Sequence, residues 1–179
     1  MHLIELIRAL DELEKSGRHV FTTDQFYKYF PNEPISSYNS GLARYVDKKL
    51  LIRATRGVFV NPRSRYFQQY TLEWIASVLR PQHLVYLSLE SALEKTEEFD
   101  EEEQYQPTLT VMTTGTSGQI QTPFGQIELI TTHKSKQHIL ERTYSIPEHP
   151  LRIATLDMAR CDLKSVGRNL HLLEESQLT

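Results

Sequence analysis

The amino-acid sequence predicts an α+β protein, on three observations. Apolar residues recur at helical spacing in residues 1–16 and again in 155–163. Between them, residues 108–132 alternate apolar and polar positions in short β-rich runs, and a β-rich pair of arms around Arg56-Gly57 closes the first 60 residues. The 179 residues allow one ordinary domain or two small ones. The change of pattern places the boundary between 1–65 and 66–179. With 39% apolar and 24% charged residues, the composition is that of a folded globular chain. No apolar run approaches the ~18 residues of a membrane span, and the start lacks the basic-then-apolar layout of a signal peptide. A single cysteine, Cys161, excludes an intramolecular disulfide and a four-thiolate zinc site. These features point to the cytoplasm and to no membrane partner.

The first helix, over 1–16, carries Leu3, Ile4, Leu6, Ile7, Leu10 and Leu13 at helical spacing, and Gly17 stops it. Phe21-Thr22-Thr23 opens a short second helix that continues through Phe30, with Thr22 or Thr23 as cap and Pro31 as its end. A third begins after Pro34, with Ser36 or Ser37 as cap, and continues to about Lys49. Leu42, Val46 and Leu50, four apart, form its inward stripe. Residues 51–60 then read as a hairpin, broken by Asn61-Pro62. Three helices and a two-stranded ribbon within about 60 residues are the layout of a winged helix-turn-helix, whose third helix enters the major groove.

Charge supports that reading. Residues 1–70 hold eleven Lys/Arg and seven Asp/Glu, a net of +4, whereas 71–179 hold nine and sixteen, a net of −7. Within 36–65 seven cations face one acid, Asp47. Phosphate contacts need clustered charge rather than a basic average, so a pI near 6.2 does not count against DNA. Winged helices also serve as protein-interaction modules; the local excess of +6 favours a duplex. The candidate DNA-binding residues are Ser36, Ser37, Tyr38, Asn39, Ser40, Arg44, Lys48 and Lys49 on the third helix, and Arg53 and Arg56 on the wing. Ser37 and Asn39 can bond bases, Gly41 lets the helix approach closely, and Arg44 suits a guanine edge or a phosphate.

In the second half, Leu72, Ile75, Ala76 and Leu79 predict a helix, and 84–94 a further short one. Residues 94–103 hold seven acids and one lysine, a solvated loop or a docking surface for a basic partner. Strands are predicted over 108–114, 119–122, 125–132 and 151–154, giving a small, mostly antiparallel sheet. Residues 138–144 read as a short helix or strand. Thr155 caps a helix with Met158, Ala159 and Leu163 inward, and Leu170, Leu172 and Leu173 add a last turn.

Enzymatic signatures are missing: there is no P-loop, dinucleotide glycine motif, nucleophile elbow or HExxH, and no cofactor is implied. Gly115-Thr116-Ser117-Gly118 reads as a turn. His133, His138, His149 and Glu141 do not assemble a third metal ligand. Glu128 with Lys134 suggests a nuclease-like pair, but one carboxylate is too few for a metal. Asp157 and Asp162 suit capping or ion pairing, and Cys161 a small buried position.

Four segments in order resemble the AbiEi-type antitoxins of bacterial type IV toxin–antitoxin (abortive infection, phage-defence) systems. They are Leu51-Ile-Arg-Ala-Thr-Arg-Gly-Val-Phe-Val60; Val85-Tyr-Leu-Ser-Leu-Glu-Ser-Ala-Leu93; the strand pair around Gly118 and Gly125; and Ala154, Thr155, Asp157, Ala159 and Asp162 within 152–162. The resemblance spans 22–162. It implies a non-enzymatic transcriptional autorepressor that binds inverted repeats in its own promoter, as a dimer on double-stranded DNA. Its C-terminal domain would neutralise a nucleotidyltransferase-like toxin without a stable complex. Two alternatives stay open: a winged-helix-targeted nucleic-acid-processing enzyme built on Glu128, and an adaptor that docks through the acidic loop.

Overall fold

A computed structural model describes residues 1–94 and 107–168. The described residues form two compact units, Met1–Leu79 with Thr122–Phe124, and Arg80–Gln121 with the chain from Gly125 on. Both mix helices and strands. The acidic loop lies mostly, and the expected last turn at Leu170–Leu173 wholly, outside the described residues.

The N-terminal unit runs α1 (Leu3–Lys15), β1 (Val20–Thr22), α2 (Thr23–Tyr27), α3 (Ile35–Asp47), β2 (Ile52–Thr55), β3 (Val58–Val60) and α4 (Thr71–Leu79). Leu6, Ala9, Leu10 and Leu13 form the buried stripe of α1; Leu3 and Ile4 are exposed. Thr22 caps α2 by accepting from the Gln25 amide at 3.1 Å, and the Gln25 side chain accepts back from the Thr22 amide. The sheet has order β1-β3-β2, both pairings antiparallel. A third strand, β1, therefore joins the expected hairpin: Val20, Phe21 and Thr22 pair with β3 instead of opening a helix. Gly57, at φ +75°, supplies the left-handed residue of the β2–β3 turn.

Aromatic rings fill this unit. Phe21 stacks on Phe26 with centroids 4.1 Å apart and lies 5.9 Å from Phe59, and Tyr38 packs against Tyr27 and Phe30. Each such pair adds about 0.5–1.5 kcal/mol beyond its buried area. The inward stripe of α3 is Tyr38, Gly41, Leu42 and Tyr45, with Val46 and Leu50 only partly buried. Two further expectations for α3 are corrected. Pro34, not a serine, is its N-cap, and the helix ends at Asp47 with Lys48 as C-cap.

The C-terminal unit runs β4 (Val85–Leu87), α5 (Leu89–Glu94), β5 (Thr108–Thr113), β6 (Gly118–Thr122), β7 (Gly125–Thr131), α6 (Lys136–Glu141), β8 (Thr143–Tyr144), β9 (Arg152–Ala154) and α7 (Leu156–Val166). Its six strands lie in the order β6-β7-β5-β4-β9-β8. The sheet is mixed, not mostly antiparallel: β5 pairs with β7, and β4 with β9, in parallel. Consecutive β5 and β6 are not neighbours; β6 crosses to the outer side of β7. Central β5 is buried on both faces from Leu109 to Thr113. Residues 85–87 form a strand where a helix was expected, and α5 starts only at Leu89, which is fully buried with φ +57°. Thr155 caps α7, accepting from the Met158 amide, and Gly167 ends it at φ +68°.

Candidate nucleic-acid interface

The packing of α3 decides which of its side chains are available. With Tyr38, Leu42 and Tyr45 inward, Ser36, Asn39, Ser40 and Ala43 lie on the outward face, all exposed, and Ile35 is exposed in the first turn. Tyr38 is withdrawn from the candidates. Its ring is fully buried, its hydroxyl donates to the Thr23 carbonyl at 2.9 Å, and burial raises its phenol above the usual range. Gly41 is corrected as well. It is buried, and a Cβ there would lie 2.7 Å from Met1 Cε, so Met1 fills the space that a ligand was expected to use.

Three of the remaining hydroxyl and guanidinium groups already have partners within the unit. The Ser37 hydroxyl donates to Glu33 Oε1, which also receives the Met1 amino group; these donors hold the Glu33 carboxyl below its ordinary range. Ser40 Oγ donates to the Ser36 carbonyl at 2.9 Å. Arg44 Nη2 donates to the Met1 carbonyl at 2.9 Å, and its guanidinium lies 5.0 Å from the Tyr45 ring centroid. Arg44 is exposed but anchored, the same Nη2 lying 3.4 Å from the Tyr45 hydroxyl. The Asn39 carboxamide and the Ser36 hydroxyl have no partner among the described residues.

Past the end of α3 the chain is cationic. Lys48 is the C-cap, and Lys49 follows at φ +57°, a left-handed position that glycine would occupy without strain. The Leu50 and Leu51 amides both donate to the Tyr45 carbonyl, at 2.9 and 3.2 Å, which fixes the turn into the hairpin. Arg53 on β2 stands opposite Phe59, its guanidinium 6.0 Å from that ring. Arg56 sits at the turn tip before Gly57. Lys48, Lys49, Arg53 and Arg56 are exposed, and none has an ion-pair partner among the described residues. Arg65 differs: its Nε binds Glu14 at 2.8 Å, a contact that lowers the Glu14 carboxyl. Asp47 is exposed between these cations and the serines.

The polar residues of the C-terminal unit are arranged otherwise. Asp162 is fully buried on α7. Its Oδ2 accepts from Ser88 Oγ at 2.7 Å and from the Tyr86 hydroxyl at 3.1 Å, and its Oδ1 pairs with the Lys134 ammonium. Burial, reinforced by the Asp162 charge, raises the Tyr86 phenol. Glu128, expected beside Lys134, instead binds Arg168 Nη1 at 2.6 Å, and Arg168 Nε reaches Glu90 at 3.0 Å. The nuclease-like pair is thus divided between two ion-pair clusters. His149 is buried with Nδ1 at 2.7 Å from the Leu151 carbonyl, and Glu141 accepts from Gln137. Among the described residues no three His, Cys, Asp or Glu come close enough to hold a metal ion. Cys161 is exposed rather than buried, because α7 turns Met158, Ala159, Asp162 and Leu163 inward and leaves residue 161 outside. No described helix is long and apolar enough to cross a membrane.

No protein-family model matches the chain, and no curated protein matches it.

The exposed Ile35 and the acceptor role of Glu33 were not anticipated from sequence. Helical spacing sets Ile35 three residues before the inward Tyr38, on the same side, so its exposure in the first turn was not legible from the period.

Proposed function

We propose that the N-terminal unit is a winged helix that binds double-stranded DNA, with α3 in the major groove and the β2–β3 hairpin along the backbone. The observation that carries this reading is the set of four exposed, unpaired cations, Lys48, Lys49, Arg53 and Arg56, on one helix end and the adjoining hairpin. Unpaired surface cations release the counterions condensed on a duplex when they replace them at phosphates. Ser36, Asn39 and the exposed Arg44 supply polar groups nearer the groove. The chain as a whole reads as a type IV antitoxin of the AbiEi kind, a cytoplasmic, non-enzymatic autorepressor of its own promoter. In support, within the resembling segment 154–162 Ala154 ends β9, Thr155 caps α7, and Ala159 and Asp162 lie on the inward face of α7. The functional partner would be a nucleotidyltransferase-like toxin, met without a lasting complex.

Binding of the full chain to duplex from its own upstream region, titrated against salt, tests the DNA half. The expected result is a log–log slope that loses about one unit for each of Lys48, Arg53 and Arg56 changed to Ala. Absence of binding at low salt overturns it. Rescue of growth by this chain against a co-encoded nucleotidyltransferase-like protein tests the antitoxin half.

A further inference from the structure

The bonds within α3 leave a short choice of groups to distinguish one base pair from another. Ser37 and Ser40 spend their hydroxyl protons on Glu33 and the Ser36 carbonyl, Tyr38 is in the core, and Arg44 is tied to Met1. Exposed on α3 there remain Ser36, whose unpartnered hydroxyl both donates and accepts and so does not tell bases apart, Asn39, whose carboxamide has no partner among the described residues, and Ile35, which is 54% exposed in the first turn. Ile35 and Asn39 are four apart, hence on the same side of the helix and about 6 Å apart along it, within two base-pair steps of roughly 3.4 Å. Flanking cations without partners provide the charge complement to a duplex.

We propose that Ile35 and Asn39 select A·T base pairs in the major groove, Asn39 by a bidentate bond to adenine and Ile35 by contact with a thymine methyl group. Asparagine matches adenine because its Oδ1 accepts from the N6 amino group while its Nδ2 donates to N7. Thymine alone carries a C5 methyl for an apolar side chain to cover. An isoleucine in water at this position gains from that contact and gains nothing from the edges of a G·C pair. The inference rests on the duplex-binding reading above and adds to it the identity of the bases.

The test is selection of the full chain against a random-sequence duplex library, followed by affinity measurements on the recovered duplex with modified bases. Recovered sites should share a fixed A·T pair in each half-site. Replacing that adenine by 7-deazaadenine, which lacks the N7 acceptor, should cost the wild type about tenfold. Uracil in place of the thymine, which removes only the methyl, should cost it severalfold. Asn39→Ala should lose the first sensitivity and Ile35→Ala the second, both keeping the wild-type circular dichroism and melting temperature, which shows that they are folded. Recovered sites without a fixed A·T pair, or an Asn39→Ala protein that retains the wild-type preference, would overturn the inference while leaving DNA binding in place. Failure to retain any duplex at low salt removes both.

Discussion

One group of cations in each unit stands in the opposite circumstance to the other. In the N-terminal unit Lys48, Lys49, Arg53 and Arg56 stand in solvent without carboxylate partners. In the C-terminal unit Lys134 and Arg168 are drawn into ion pairs with Asp162, Glu128 and Glu90, and Arg152 donates to Thr143 and Ser145. The same residue types thus serve a surface in one case and the interior in the other. Net charge counts them alike; only partnership separates a cation free to meet phosphate from one already neutralised.

The largest effect expected from this contrast is at Asp162. Asp162→Ala removes the acceptor of Ser88, Tyr86 and Lys134 together and should lower stability by about 3–5 kcal/mol, as breaking a buried ion pair does. Urea denaturation measures it, and a loss under about 1 kcal/mol would mean that the cluster is not structural.

Next is His19, the buried base of the N-terminal unit. It is fully buried, its Nε2 lies 2.9 Å from Thr71 Oγ1, and its Nδ1 has no partner. Burial pushes its pKa down to about 4. The folded value lies below the unfolded ~6.5, so the unfolded chain takes up the proton first as pH falls. The stabilisation from keeping this ring neutral is complete above pH 6.5 and is lost between 6.5 and about 4, by up to about 3 kcal/mol. The urea midpoint should fall across that window, and a His19→Gln variant should flatten the curve; parallel curves for the two proteins would refute the assignment.

A smaller effect sharpens the comparison at Lys49. Lys49→Gly relieves a left-handed lysine and should raise stability by roughly 0.5–1 kcal/mol while weakening DNA binding. A gain in both would show that this cation has no duplex role. Smallest on stability are Arg53→Ala and Arg56→Ala, which should each stay within about 0.5 kcal/mol of wild type by thermal melting. A larger loss from either would move that cation to the structural class of Lys134.

The sequence displayed some of this architecture and hid the rest for physical reasons. α1 and α7 were legible because a full turn or more of apolar residues recurs on one face. The arms of the hairpin were legible from β-branched residues around Gly57. β1 and β4 are three residues each and adjoin helices, so no period could separate them. The parallel pairing of β5 with β7 was hidden because alternation reports burial and is silent about strand direction. Tyr38 shows the limit on the candidate site: a tyrosine suits a groove or a core equally, and only the ring of Phe30 and Tyr27 around it decides. Lys134 was singled out with the wrong carboxylate, since its partner Asp162 is 28 residues away and belongs to a helix that covers the sheet.

Leu89 carries a constraint of another kind. Its backbone is left-handed and its side chain is wholly enclosed at the junction of β4 and α5. Glycine would suit the backbone and leave a void; asparagine would tolerate the turn and strand an amide in the interior; valine or isoleucine would fill the space and worsen the strain. No single exchange satisfies both demands, so in a saturation library screened for folded protein this site should accept fewer alternatives than any of its equally enclosed neighbours on β4.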